Sequence, residues 1–203
     1  EMAKGGIGRP DLSCDAKRIV FPYARPRAAP TAYGYGKPGV RGGACMMYDV
    51  FEVGVDGSNL RALTDNPDSE DTEPMYLPDG RIIFASTRQT QSQALLLDEN
   101  SQGGGFSAMD EDENEFAFNL HVMDDDGNNL KQVTFNQSHD LDPSVMADGK
   151  IVFSRWDHNT GNNHVNLYRM NPDGSALELL YGQWSHDTGT DNSTIQFMQP
   201  RET

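Results

Sequence analysis

The sequence predicts an all-β fold: a β-propeller segment of about three four-stranded antiparallel blades plus the start of another, part of a larger propeller. Three observations predict it. Short apolar runs are joined by Asp-Gly pairs, a strong local hairpin signal because type I′ turns require positive φ. The runs recur in one order: Val50, Leu120 and Leu167 stand seven residues before Gly57, Gly127 and Gly174, and Leu60, Leu130 and Leu177 stand three after. The spacing of those glycines is unequal, so constant strands alternate with loops of variable length, the mark of a repeat whose insertions sit in loops.

The first blade spans about 10–64. It opens on a degraded hairpin from Pro10 to Phe21, with Cys14-Asp15-Ala16 in the turn, and closes on Asp49–Val53, Asp56-Gly57 and Leu63-Thr64. The second, about 74–134, has the hairpin Pro74–Phe84 around Asp79-Gly80, then Leu120–Met123, Asp126-Gly127 and Leu130–Thr134. The third, about 143–181, has Pro143, Asp148-Gly149 and Ile151–Ser154, then Asn166–Met170, Asp173-Gly174 and Leu180. Thr194–Phe197 begins the next, at about 191–203. Propellers close with about four to eight blades, so three repeats read as a segment of a larger protein or as a chain completed by a partner.

Composition narrows the partners. The 203 residues carry a net charge of −15, which opposes nucleic-acid binding and an anionic membrane surface. No apolar run approaches the ~20 residues of a spanning helix. The chain opens on Glu1 with no signal peptide, so an upstream segment can have been cleaved or left out.

Antiparallel succession assigns an end to every connection. With the strands of a blade named A to D and A starting at the proline, all A–B and C–D turns are minimal and share one end. The B–C loops (22–47, 89–118, 156–165) and the linkers (65–73, 135–142, 181–191) share the other, which is the expected functional face. The first loop sets Arg25, Arg27, Lys37 and Arg41 among Tyr23, Tyr33 and Tyr35, suited to an anion or an acidic partner, or simply packed over its own blade. The second holds Asp98, Glu99, Asp110, Glu111, Asp112, Glu113 and Glu115, a solvated acidic loop or a calcium site. Asp124–Gly127 lacks the alternate spacing of a calcium loop and reads as a hairpin turn.

The linkers carry the candidate site. His139-Asp140 and His186-Asp187 occupy equivalent places, and Glu70-Asp71 fills that place in the preceding linker. Equivalent linker residues should converge around the axis at the long-loop end, where imidazole and carboxylate groups could hold calcium or a transition metal or do acid–base work. His158 and His164, in the third B–C loop, are possible further ligands. The competing reading is that each His-Asp pair caps its own linker through backbone hydrogen bonds. His121 stands where sister repeats have Phe51 and Tyr168 and reads as a packing residue. Cys14 and Cys45 fall at opposite ends of a blade, too far apart for a disulfide, with Cys45 the expected reactive thiol or ligand if either is one. Neither lies in CxxCH, so no haem is expected within the segment.

The repeats DVFEVGVDGSNLRALT and EPMYLPDGRIIFASTR resemble the TolB-type, WD-like propeller repeat. WDHNTGNNHVNLYRMNPDGSALELLYG, SHDTGT, IQFMQPRE and GGACMMYDVFEV resemble the propeller portion of proteins related to the alpha subunit of hydrazine synthase. That resemblance implies an extracytoplasmic (periplasmic or extracellular) propeller joined to domains carrying c-type haem. Any enzyme containing it would be an oxidoreductase. The readings it leaves are a non-catalytic scaffold docking a haem-bearing domain or subunit, a metal or enzymatic site at the axis, and a TolB-like interaction hub. No catalytic residue is carried over.

Overall fold

A computed structural model describes residues 5–28, 44–88, 116–159, 162–182, 185 and 196–202. Among these, every element is a strand, and the strands form three antiparallel sheets. The first contains β1 (Gly6–Ile7), β2 (Asp11–Leu12), β3 (Arg18–Ala28), β4 (Ala44–Gly54) and β5 (Arg61–Ala62). The second runs β6 (Asp71–Tyr76), β7 (Ile82–Ser86), β8 (Asn119–Met123) and β9 (Lys131–Gln132). The third runs β10 (Asp140–Val145), β11 (Ile151–Asn159), β12 (Asn162–Met170) and β13 (Glu178–Tyr181). Each sheet is a blade, with β1 and β2 together forming the inner strand of the first.

The consecutive apolar residues of Ile82–Ala85 and Ile151–Phe153 suit strands covered on both faces, because alternate side chains point to opposite sides. Ile82 and Phe84, with Met123, pack on Val20, Val50 and Leu63 of the first blade. Ile83 and Ala85, with Leu120 and Val122, pack on Ile151, Phe153 and Met170 of the third. Each such side chain contributes roughly 1.5–3 kcal/mol when fully buried. In the first blade, Phe21, Tyr23 and Phe51 cluster with Ile19 and Val53, while Ile7 and Leu12 remain exposed. These residues mark the side on which a preceding blade would stack.

The Asp-Gly hairpins form, but with a different turn. Within each Asp-Gly pair the glycine (Gly57, Gly80, Gly127, Gly149, Gly174) takes positive φ and the aspartate does not. Gly57 N–H donates to Gly54 O at 2.8 Å and Gly54 N–H to Ser58 O at 2.8 Å, a type I turn followed by a left-handed residue, not type I′. Each aspartate secures its turn by accepting from the backbone N–H two residues on, as Asp79 does from Arg81 at 3.1 Å and Asp126 from Asn128 at 2.9 Å. In the degraded turn Ala16 occupies the glycine position at φ 56°.

The inner strands begin earlier than expected. β6 and β10 start three residues before Pro74 and Pro143, and the prolines sit at bulges that break the register between Thr72 and Met75 and between Leu141 and Ser144. A bulge is where a proline, lacking an N–H, fits inside a ladder. The B–C ladders also run further: β3 and β4 pair from Arg18↔Gly54 to Ala28↔Ala44, and β11 and β12 pair to Asn159↔Asn162. Of the expected loops 22–47 and 156–165, only 29–43 and 160–161 lie between strands. Gln199, before Pro200, repeats the φ of the inner-strand bulges at 54°, and Phe197 N–H donates to Val165 O at 2.9 Å beside an isolated parallel bridge between Val165 and Gln196.

Replacing Ala16 with glycine relieves a left-handed strain of about 1–2 kcal/mol against an entropic loss of about 0.5–1 kcal/mol. Urea denaturation is expected to show Ala16→Gly more stable by roughly 0.5–1 kcal/mol. Gly127→Ala is expected to be clearly worse than Gly57→Ala. A Cβ on Gly127 would meet Leu63 O at 2.5 Å, whereas one on Gly57 meets nothing within 4 Å.

Candidate functional site

At the long-loop rim each blade places one arginine over an aromatic ring and against a buried aspartate. Arg25 lies 5.1 Å from the Phe51 ring centroid and donates to Asp49 Oδ2 at 2.7 Å and to Asp65 Oδ1 at 2.9 Å. Arg88 lies over Phe84 and donates to Asp71, which also accepts from Ser86 Oγ at 2.6 Å. Arg155 lies over Phe153 and Tyr168 and grips Asp140 with Nε and Nη2, each at 2.8 Å. Burial pushes the Asp71 carboxyl up, against the opposing pull of Arg88 and Ser86. Of the two readings of the first loop, packing within its own blade holds for Arg25 and Tyr23: both lie on β3, Tyr23 is buried, and Arg25 is paired with Asp49 and Asp65. Lys37, Arg41, Tyr33, Tyr35, the Arg27 side chain and the acidic run 98–115 lie outside the described residues.

The equivalence of Glu70-Asp71 and His139-Asp140 is real in backbone terms. Thr87 N–H donates to Glu70 O at 3.1 Å and Trp156 N–H to His139 O at 2.8 Å. The His139 and Asp140 side chains have partners within the chain. His139 Nδ1 accepts from Phe118 N–H at 3.1 Å, and its ring stacks on Trp156 at 5.5 Å between centroids and 8° between planes. Asp140 is gripped by Arg155, while in the preceding linker the backbone N–H of Glu70 donates to Thr87 Oγ1 at 2.9 Å. His164 is half-buried on β12, opposite Asp157, and Asp157 accepts from Asn166 Nδ2 at 2.7 Å and Tyr168 Oη at 3.1 Å. His158 is on β11 opposite Asn163, with its side chain outside the described residues, as are His186 and Asp187 entirely. Among the described residues no three His, Cys, Asp or Glu side chains come together as a metal site.

Two further expectations have outcomes. Cys14 is a free, exposed thiol in its turn. Cys45 lies on β4 opposite Arg27, nine ladder steps beyond Arg18, and its side chain lies outside the described residues. His121 is fully buried, tilted against Phe84 at 5.8 Å, with Nδ1 2.9 Å from Asn119 O. Burial lowers its pKa to about 3, so the ring is neutral and packs as its sister residues do.

The axial site was not anticipated. Arg9, Asp11, Glu73, Asp142 and Arg201 line a cavity of about 200 Å³, receiving residues from all three blades and from the segment that follows. Glu73 (φ 54°), Asp142 (φ 53°) and Gln199 (φ 54°) are left-handed, and each precedes a proline. Asp142 N–H donates to Glu73 Oε2 at 2.6 Å and Gln199 N–H to Asp142 Oδ2 at 3.0 Å, linking each inner strand to the one before. Burial first, then the neighbouring Asp142, raises Glu73 to about 7. The signal in the sequence was a polar residue before each repeat proline (Arg9, Glu73, Asp142, Gln199).

The family described as "Domain of unknown function (DUF5122) beta-propeller" matches residues 147–176. The chain is 26% identical over 151 residues to hydrazine synthase subunit alpha of Kuenenia stuttgartiensis, covering 56% of this chain and 18% of that protein. The solved Kuenenia stuttgartiensis hydrazine synthase superposes with a TM-score of 0.63 at 20% identity, over 90% of this chain and 26% of that one. A putative TolB from Agrobacterium tumefaciens superposes at 0.54 and 19% identity, over 89% and 51%. The fold is thus a TolB-like propeller, with similarity to hydrazine synthase, and the chain spans about a fifth to a quarter of the length of those hydrazine synthase relatives. No helix among the described residues is long and apolar enough to cross a membrane.

Arg155→Met leaves Asp140 a buried unpaired charge, so unfolding measurements at pH 7 are expected to show a loss of about 3–5 kcal/mol. Removing both charges with Asp140→Leu in the same chain is expected to recover most of it. His121, neutral when folded but protonated below about 6.5 when unfolded, contributes a loss of stability as pH falls from that value toward about 3. In His121→Phe, acid-unfolding curves are expected to decline less over that window.

Proposed function

We propose that this chain is part of a larger propeller that serves as a non-catalytic interaction module of an extracytoplasmic, hydrazine synthase alpha-like protein, docking a haem-bearing domain or subunit on its long-loop face. The observation that carries this reading is the asymmetry of the two ends. At one end every described connection is a short turn sealed by an aspartate or by Ser13 and Asp15. At the other, β3–β4 and β11–β12 continue as two-stranded ribbons beyond the residues that β5 and β13 cover. A ribbon projecting from a rigid disc offers open backbone edges and side chains to a protein partner.

The sequence resemblance to hydrazine synthase alpha-related proteins suggests the kind of partner, and the similarity to hydrazine synthase subunit alpha supports a periplasmic setting. Neither Cys14 nor Cys45 lies in a CxxCH motif, and the c-type haem is assigned to the partner.

Size-exclusion chromatography with light scattering, monitored at the haem Soret band, tests it with a separately expressed c-type haem domain of the hydrazine synthase alpha type. Replacing residues 157–164 with a two-residue Asn-Gly turn is expected to weaken co-elution at least tenfold, while Lys17→Ala and Asp148→Asn at the turn end leave it unchanged. Co-elution insensitive to the ribbon, or lost through the turn-end changes, would overturn the reading.

A further inference from the structure

The seam between the first and second blades is clasped by charge, while the corresponding place between the second and third is an open groove. At the first seam, Arg18 Nη1 donates to Glu52 Oε1 at 3.2 Å and, across the seam, to Asp125 Oδ2 at 2.9 Å. Arg61 donates to Glu52 Oε2 through Nε at 3.0 Å and Nη2 at 2.6 Å, and to Asp125 O at 2.8 Å. Glu52 is buried and also accepts from Tyr76 Oη at 2.8 Å. Counted from the turn glycines, Glu52, Asp125 and Arg61 correspond at the second seam to Val122, Pro172 and Lys131. Arg18, one before Ile19, corresponds to Arg81, one before Ile82, since Ile19 and Ile82 pair with the equivalent Val53 and Met123. The two cations of the clasp recur, and both of its carboxylates are lost.

A groove of about 740 Å³ stands there, between the outer strand of the second blade and the turn of the third. Arg81 reaches Asp79 of its own hairpin at 2.9 Å, and Lys131 is exposed with no ion pair among the described residues. Asp124 and Asp173 also line the groove, each held locally: Asp124 accepts from Asn129 Nδ2 at 2.6 Å, and Asp173 from Ser175 N–H at 2.9 Å and Ser175 Oγ at 2.6 Å. Phe135 and Leu177 stand at the same groove, 48% and 43% exposed. Leu130, the sister of Leu177, instead packs on the cluster between the first and second blades.

We propose that this groove docks an extended peptide segment of a partner protein through one Asp or Glu side chain flanked by apolar residues, the carboxylate pairing with Lys131 and Arg81. The first seam shows what this pair of cations takes when an acceptor is at hand: the single carboxylate of Glu52 meets both Arg18 and Arg61. Two cations and two acids leave the groove close to neutral, which suits one carboxylate rather than a polyanion. An exposed ion pair contributes little by itself, and Phe135 and Leu177 supply the apolar burial that holds the flanking residues. The groove volume falls within the roughly 300–1,000 Å³ of ordinary ligand sites. It opens beside the C–D turns, away from the ribbons, so its occupant is distinct from a haem-bearing partner on the long-loop face.

The test is an amide-resolved NMR titration of the chain with the peptide acetyl-Phe-Glu-Leu-amide and with its Gln counterpart. Saturable shifts are expected at the amides of Lys131, Phe135 and Leu177. The Gln peptide, Lys131→Met and Arg81→Met are each expected to weaken binding about tenfold, the loss of one charge-assisted pair. Lys17→Met, which removes an exposed cation outside the groove, is expected to leave binding unchanged. No saturable shift at millimolar peptide, equal binding of the Gln peptide, or binding unmoved by Lys131→Met would overturn the proposal. If a variant does not fold, the comparison of the Glu and Gln peptides on the wild-type chain decides it.

Discussion

Covering both faces of every blade is the constraint from which the rest of this architecture follows. A single sheet here cannot bury Ile82 and Ile83 at once without a neighbour on each side, and the two neighbours are supplied by successive repeats. Stacking then dictates details that look local. Gly127 and Gly174 lack side chains where the carbonyls of Leu63 and Val133 approach, contacts that exist only because one blade's turn leans on the outer strand of the blade before. The first blade, with Ile7 and Leu12 exposed, displays the same demand unmet.

Polar groups occupy the places this packing leaves, and each place has its own chemistry. At the sealed end, aspartates accept from their own turns. At the rim, an arginine in each blade pairs with a buried acid and covers an aromatic ring, so the charges of Arg25, Arg88 and Arg155 are engaged within the chain. A buried carboxylate is tolerated only with such a partner. At the axis, acids receive backbone N–H groups from the next blade. His139 illustrates the outcome: its ring nitrogen takes the Phe118 N–H, from the preceding B–C connection, and its face takes Trp156.

A TolB-like propeller hosts unrelated functions on one scaffold, so the fold bounds the activity without naming it. On that scaffold this chain carries extended ribbons at one end and a cavity lined by both acids and arginines at the axis. At the axis, Glu73 and Asp142 each accept a backbone N–H from the segment that follows, so the acids there tie successive inner segments together.

Strand order, blade repetition and the end bearing the long connections were legible in the residues alone. They depend on period-two patterning, on Asp-Gly turns and on offsets from glycine, all of which are local. The packing role of His121 was legible for the same reason, since its sister positions are aromatic. The turn type was not, because Asp-Gly suits either turn and the closing hydrogen bonds choose. Nor were the partners of His139, Asp140 and Arg25, the early start of β6 and β10, or the meeting of Arg9, Glu73 and Asp142. Those acids are 69 residues apart along the chain and become neighbours only when inner strands gather at one axis. Periodicity says which residues are equivalent; contact between equivalent residues is a property of the ring, settled by long-range packing that no local pattern encodes.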